Sequence, residues 1–129
     1  MPENKEEKSK WNLSDALIYE IAHHLSRASQ LYQLMKFSDA FMNLKTITLR
    51  LSPYLKDNER KDLRRAEVDM FESIFLSKPV AFSPPSETNR KHQVLSIIRF
   101  DNYNDILMNI IKKNGLYFVV KEDKNALKT

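Results

Sequence analysis

The chain has 129 residues, a net charge of +4, 42% hydrophobic and 29% charged side chains, a single glycine (Gly115) and no cysteine. One glycine excludes a P-loop, a dinucleotide fingerprint or a nucleophile elbow, each of which needs several glycines to bring backbone close to a phosphate or a reacting atom. The lack of cysteine excludes a disulfide, a thiolate zinc site, an iron–sulfur centre and a thiol nucleophile.

Residues 1–10, MPENKEEKSK, carry no apolar run and read as a mobile charged tail rather than a secretory signal. Residues 11–120 then read as one helical domain and 121–129 as a frayed tail, since a chain this long supports one core. No apolar run approaches the roughly 20 residues that cross a bilayer. Together with the missing cysteine, this predicts a soluble cytoplasmic protein.

Trp11 and Leu13 mark the start of folding, and Ser14 is a natural N-cap with Asp15 behind it. Ile18, Ile21, Leu25, Ala28, Tyr32 and Met35 follow at alternating spacings of three and four, which is one stripe of a helix. This stripe is the longest in the chain, so the first helix is expected to be central. A second helix opens near Ser38 and Asp39 with an apolar side of Phe37, Ala40, Phe41, Leu44, Ile47, Thr48 and Leu51. It should stop before Pro53, because the residue ahead of a proline is pushed from helical angles.

Asp57 or Asn58 can cap a third helix, whose inner side reads Leu63, Ala66, Met70, Phe71 and Ile74. Residues 77–85 hold Pro79, Pro84 and Pro85 and must be a loop. Ser83-Pro84-Pro85-Ser86-Glu87 offers a capping serine, proline in the first turn and an acid close behind, and so opens a fourth helix with Val94, Leu95, Ile97 and Ile98 as its apolar side. The next apolar cluster, Tyr103, Ile106, Leu107, Ile110 and Ile111, would point roughly the opposite way on a straight helix, so a break or sharp kink is expected near residues 100–104, leaving either one kinked helix or two. Asn114-Gly115 ends the last helix. Leu116, Tyr117, Phe118, Val119 and Val120 have strand character without a partner strand, and read as a segment that meets another copy or another protein. The fold class is all-α: a compact antiparallel bundle of four to five helices with a short extended C-terminal segment.

Chemistry is sparse. Glu20 and His23 have the Glu-x-x-His spacing of a carboxylate-bridged metal site, but a full site needs two such pairs, and these residues fall opposite the first apolar stripe. His24 lies at the stripe's edge, with Glu20 its nearest carboxylate on the same face. No metal, cofactor or small-molecule substrate is implied, and a non-catalytic protein is expected. Two basic features remain. Arg60, Lys61, Arg64 and Arg65 share one helical patch that could track phosphates, although Asp57, Glu59, Asp62, Glu67, Asp69 and Glu72 are interleaved as neutralising partners, Asp57 facing Lys61 for instance. Arg90 and Lys91 sit near a helix N-terminus that favours anions. The sequence therefore predicts an interaction or assembly module working through protein contacts, self-association included, with a small nucleic-acid-binding accessory protein as the alternative.

Overall fold

Ser14 starts the first helix. Its side-chain oxygen accepts the Leu17 N–H at 3.2 Å, which satisfies one of the N–H groups that a helix start leaves without an internal partner. The computed structural model describes residues 11–77 and 87–116, with side chains for 11–74 and 93–116. Among the described residues the chain forms four α-helices: α1 (Asp15–Gln33), α2 (Phe37–Leu51), α3 (Asp57–Ser77) and α4 (Glu87–Lys113). A 3-10 turn, Ser52–Tyr54, follows α2 and holds Pro53, so the proline ends the α-helix as expected. Trp11 donates its indole N–H to the Tyr54 carbonyl at 3.2 Å and so ties the start of the domain to this turn.

The helices pack as an antiparallel all-α bundle. The central element is α2 rather than α1. Ala40, Phe41, Leu44, Ile47 and Leu51 are all buried to within 1% of completely, whereas α1 buries only Ile21, Leu25 and Ala28. Stripe length is a poor guide here, because centrality depends on how many neighbours a helix touches. Phe41 meets Phe71 of α3 edge-to-face at 5.4 Å and Tyr103 of α4 at 4.9 Å. Tyr32 of α1 stacks on Phe100 of α4 at 4.8 Å, which closes the bundle on the far side.

Of the break or kink expected in the fourth helix, the break is absent: α4 runs through residues 100–104 as one helix without interruption. Nothing between residues 87 and 113 is proline or glycine, so no residue forces the backbone out of helical angles. The consequence falls on the side chains. Ser96, Phe100, Tyr103, Leu107, Ile110 and Ile111 face inward and are buried, while Val94 and Ile98 are turned to the outside at 54% and 56% exposure.

Two helix ends use the same geometry with different residues. Gly115, at φ 93°, closes α4: its N–H reaches the Lys112 carbonyl, and the Leu116 N–H reaches that of Ile111. Leu116 is buried against the core by this closure. After α1 the corresponding position is Met35, at φ 61°, with the Met35 N–H on the Tyr32 carbonyl and the Lys36 N–H on that of Leu31. A side chain is a poor occupant of this left-handed position. The stripe expected to end at Met35 therefore ends at Tyr32, and Met35 is 54% exposed.

One hydroxyl pair lies inside the core. Thr48 Oγ1 is 2.6 Å from the Tyr103 hydroxyl and 3.2 Å from the Leu44 carbonyl. The carbonyl can only accept, so the threonine donates to it and Tyr103 donates to the threonine. Burial pushes the Tyr103 phenol up to about 12 from an ordinary value of 10.0, opposed in part by the Thr48 hydroxyl, which can bond the phenolate, and helped to a smaller extent by the Glu67 charge. Burial first, then the Asp101 carboxylate, also raises Tyr32.

A folded chain that keeps the Tyr103 proton to about 12, when the unfolded chain releases it at 10.0, is unaffected by this group below pH 10 and loses stability as pH rises from 10 to 12. Denaturant titrations should therefore show a steeper alkaline loss for the natural chain than for Tyr103→Phe, the difference approaching about 1.4 kcal/mol per pH unit within that window. Met35→Gly should raise stability by up to about 1 kcal/mol, read as a higher denaturation midpoint, because glycine relieves the left-handed strain and little packing is lost.

Candidate interaction surface

Three acids of α3 are bonded to groups away from its outer side. Glu59, buried to 5% exposure, accepts the Lys56 N–H at 2.8 Å, so the end expected to be capped by Asp57 or Asn58 is held by a glutamate from inside the first turn. Glu67 pairs with Lys45 of α2, and that ammonium also lies 5.3 Å from the Phe71 ring centroid. Asp69 pairs with Arg99 of α4 at 3.0 Å. With Glu20 of α1 bonded to Arg50 of α2 at 2.8 Å, each consecutive pair of helices carries one such bridge. These partners lie 22 to 30 residues apart in the chain, which is why spacing along one helix does not reveal them.

This arrangement changes the reading of the basic patch. Three of the six interleaved acids, Glu59, Glu67 and Asp69, are engaged away from it. Arg60 folds back, donating to the Leu55 carbonyl at 2.7 Å, with Asp57 at 3.8 Å. The expected Asp57–Lys61 pair does not form. Lys61, Arg64 and Arg65 are exposed and have no ion pair among the described residues. Three cations thus share the outer side of α3 with Asp57, Asp62 and Glu72, and only Asp57 of those acids has a cation partner. Arg90 and Lys91 belong to the first turn of α4, but their side chains lie outside the described residues, as do Tyr117, Phe118, Val119 and Val120. Leu116, expected to face a partner, packs into this chain's own core.

The histidine region has a positioning role. Asn43 donates its amide to the Asp39 carbonyl at 3.0 Å, which leaves its oxygen to accept from His24 Nδ1 at 2.9 Å. His24 therefore carries its proton on Nδ1 and fastens α1 to α2. Its other nitrogen is 4.0 Å from Glu20, the partner expected from their spacing. Glu20 in turn is held by Arg50, and His23 is exposed. Among the described residues no three groups of His, Asp or Glu converge as metal ligands, and no helix is long and apolar enough to cross a membrane.

The outer surface also carries apolar side chains that sequence patterning assigns to the inside or leaves unassigned. Val94 and Ile98 stand one turn apart on α4. On α2, Met42 and Leu49 are 46% and 62% exposed, and on α3 Val68 is 59% exposed. The α2 and α3 residues have a signal in the sequence: each falls outside its helix's inner stripe, where a polar residue is the usual occupant. Compared with known families, curated proteins and solved structures, the chain matches none.

Arg64→Ala with Arg65→Ala should leave stability within about 0.5 kcal/mol of the natural chain, since both side chains are exposed and alanine is a good helix former. Glu59→Ala should lose about 1–2 kcal/mol, because it removes a buried acceptor from a backbone N–H at a helix start. Thermal unfolding followed by circular dichroism compares the two directly.

Proposed function

We propose that this protein is a non-catalytic helical interaction and assembly module that acts through protein–protein contacts. The observation that carries the reading is the outward pair Val94 and Ile98 on α4. Over residues 94–100 this helix is apolar on both sides, with Phe100 inward and the pair outward, and Leu95 and Ile97 half-buried between them. An apolar pair one turn apart on an outward helix side suits a contact with a partner. Each of these side chains is about half exposed and so forgoes roughly 1 kcal/mol of burial, which a partner would recover. Tyr117, Phe118, Val119 and Val120 extend the same reading as a segment suited to pairing with another chain.

A nucleic-acid-binding accessory role is the second reading, favoured by one observation: Lys61, Arg64 and Arg65 keep their charges unpaired among the described residues. Arg60, Arg90 and Lys91 would add to such a surface. Binding of that kind weakens steeply with salt.

Light scattering separates the readings. Self-association through α4 predicts a mass that rises above 15.2 kDa with concentration and stays at 15.2 kDa for Val94→Lys with Ile98→Lys. A chain ending at Leu116 that keeps the rise takes residues 117–120 out of the contact. A chain that stays monomeric, and is held by duplex DNA at low salt through Lys61, Arg64 and Arg65, moves the function to the second reading.

A further inference from the structure

The outward seam between α2 and α3 combines two kinds of side chain in an ordered way. Phe41 meets Phe71 and Lys45 meets Glu67, so four residues forward on α2 match four residues back on α3. One more step brings Leu49 level with residues 63 and 64. On α2, Met42 and Leu49 are seven apart and share the outward side. On α3, Lys61, Arg64 and Val68 follow at spacings of three and four, so they too share one side. Along the seam between these rows lies the half-buried Lys45–Glu67 pair, whose charges satisfy each other. The face is therefore an apolar row, with Val68 across the seam, flanked by cations that have no ion pair among the described residues.

Resting on the reading of this chain as a protein-interaction module, we infer that this seam docks an acidic amphipathic helix of a partner protein. Met42 to Leu49 covers two helical turns, roughly 10 Å at 1.5 Å per residue, which suits partner side chains at i, i+3 or i+4, and i+7. Lys61, Arg64 and Arg65 line one flank only, so they select a helix with acids beside its apolar stripe. A second copy of this chain is a poor occupant, because two-fold pairing of the face would set the same cations against each other. Nucleic acid and an anionic bilayer are also poorer fits. Neither makes use of an apolar seam two turns long.

The test is selection of a displayed library of randomised helical 18-residue peptides, unbiased in charge, on the full chain. The expected winners are net acidic with large apolar residues at i, i+3 or i+4, and i+7. Their binding should weaken with added salt and fall at least ten-fold for Leu49→Asp and for Arg64→Glu with Arg65→Glu, while both variants keep the helical circular dichroism of the natural chain. Replacing the acids of a winner by lysine should restore binding to the Arg64→Glu, Arg65→Glu protein. Winners without an acidic bias that ignore those variants but are lost in Val94→Lys with Ile98→Lys overturn the seam and leave the module reading standing. A selection that yields no binder overturns the seam, and the module reading then stands or falls on the light-scattering mass. Duplex DNA or phosphatidylserine vesicles bound tightly, with the same dependence on Leu49 and Arg64, would give the seam a different occupant and overturn the inference.

Discussion

The bundle depends on one ring. Phe41 of α2 is fully buried and lies edge-on to Phe71 of α3 and to Tyr103 of α4, so the three helices meet at a single side chain. Edge-to-face contacts between aromatic rings contribute about 0.5–1.5 kcal/mol each beyond the area they bury, and they fix ring orientation as well. That geometry requires α2 to lie between its neighbours, which explains its inner side: any polar residue at Ala40, Leu44, Ile47 or Leu51 would be deprived of water on all sides. The one hydroxyl admitted there, on Thr48, is bonded both to its own helix and to Tyr103.

Polar contacts then set register around this core. The bridges Glu20–Arg50, Lys45–Glu67 and Asp69–Arg99 are partly exposed, and single pairs of that kind contribute little to stability. Their effect on the surface is larger than their effect on the fold. By drawing Glu67 and Asp69 toward other helices, and Glu59 into the start of α3, they leave Lys61, Arg64 and Arg65 without the neutralising neighbours that the linear sequence offers. The character of the outer surface is thus decided partly by contacts made on the inner one.

Much of the fold can be read from residue spacing, and the failures have identifiable causes. The stripe from Ile18 to Tyr32, the proline stop after Leu51, the inner side of α3 and the Asn114-Gly115 end all depend on local chemistry, which a sequence displays directly. The central place of α2 does not, because it depends on contacts between residues such as Phe41 and Tyr103, 62 positions apart. The cation patch is visible as a cluster, but its lack of partners is not, since that follows from bridges between helices. Met35 is misassigned by spacing alone because its position matches the stripe, while its backbone has already left the helix.

The fourth helix shows how two rules compete. Apolar residues favour the inside, and breaking α4 near residue 100 would have let both of its clusters turn inward. A break, however, leaves up to four N–H and four C=O groups on either side in need of partners. Each backbone hydrogen bond lost is worth about 1 kcal/mol net, which matches the roughly 1 kcal/mol forgone by half-exposing each of Val94 and Ile98. With no proline or glycine to tip the balance, the helix stays whole. Continuity explains why positions 94 and 98 face outward, but it does not explain why they are apolar. Farther along the same outward side, at spacings of three and four, stand Asp101 and Asp105, both exposed and both polar. Charge is accommodated on that side among the described residues, so the apolar character of Val94 and Ile98 is a choice of side chain that helix continuity alone does not dictate.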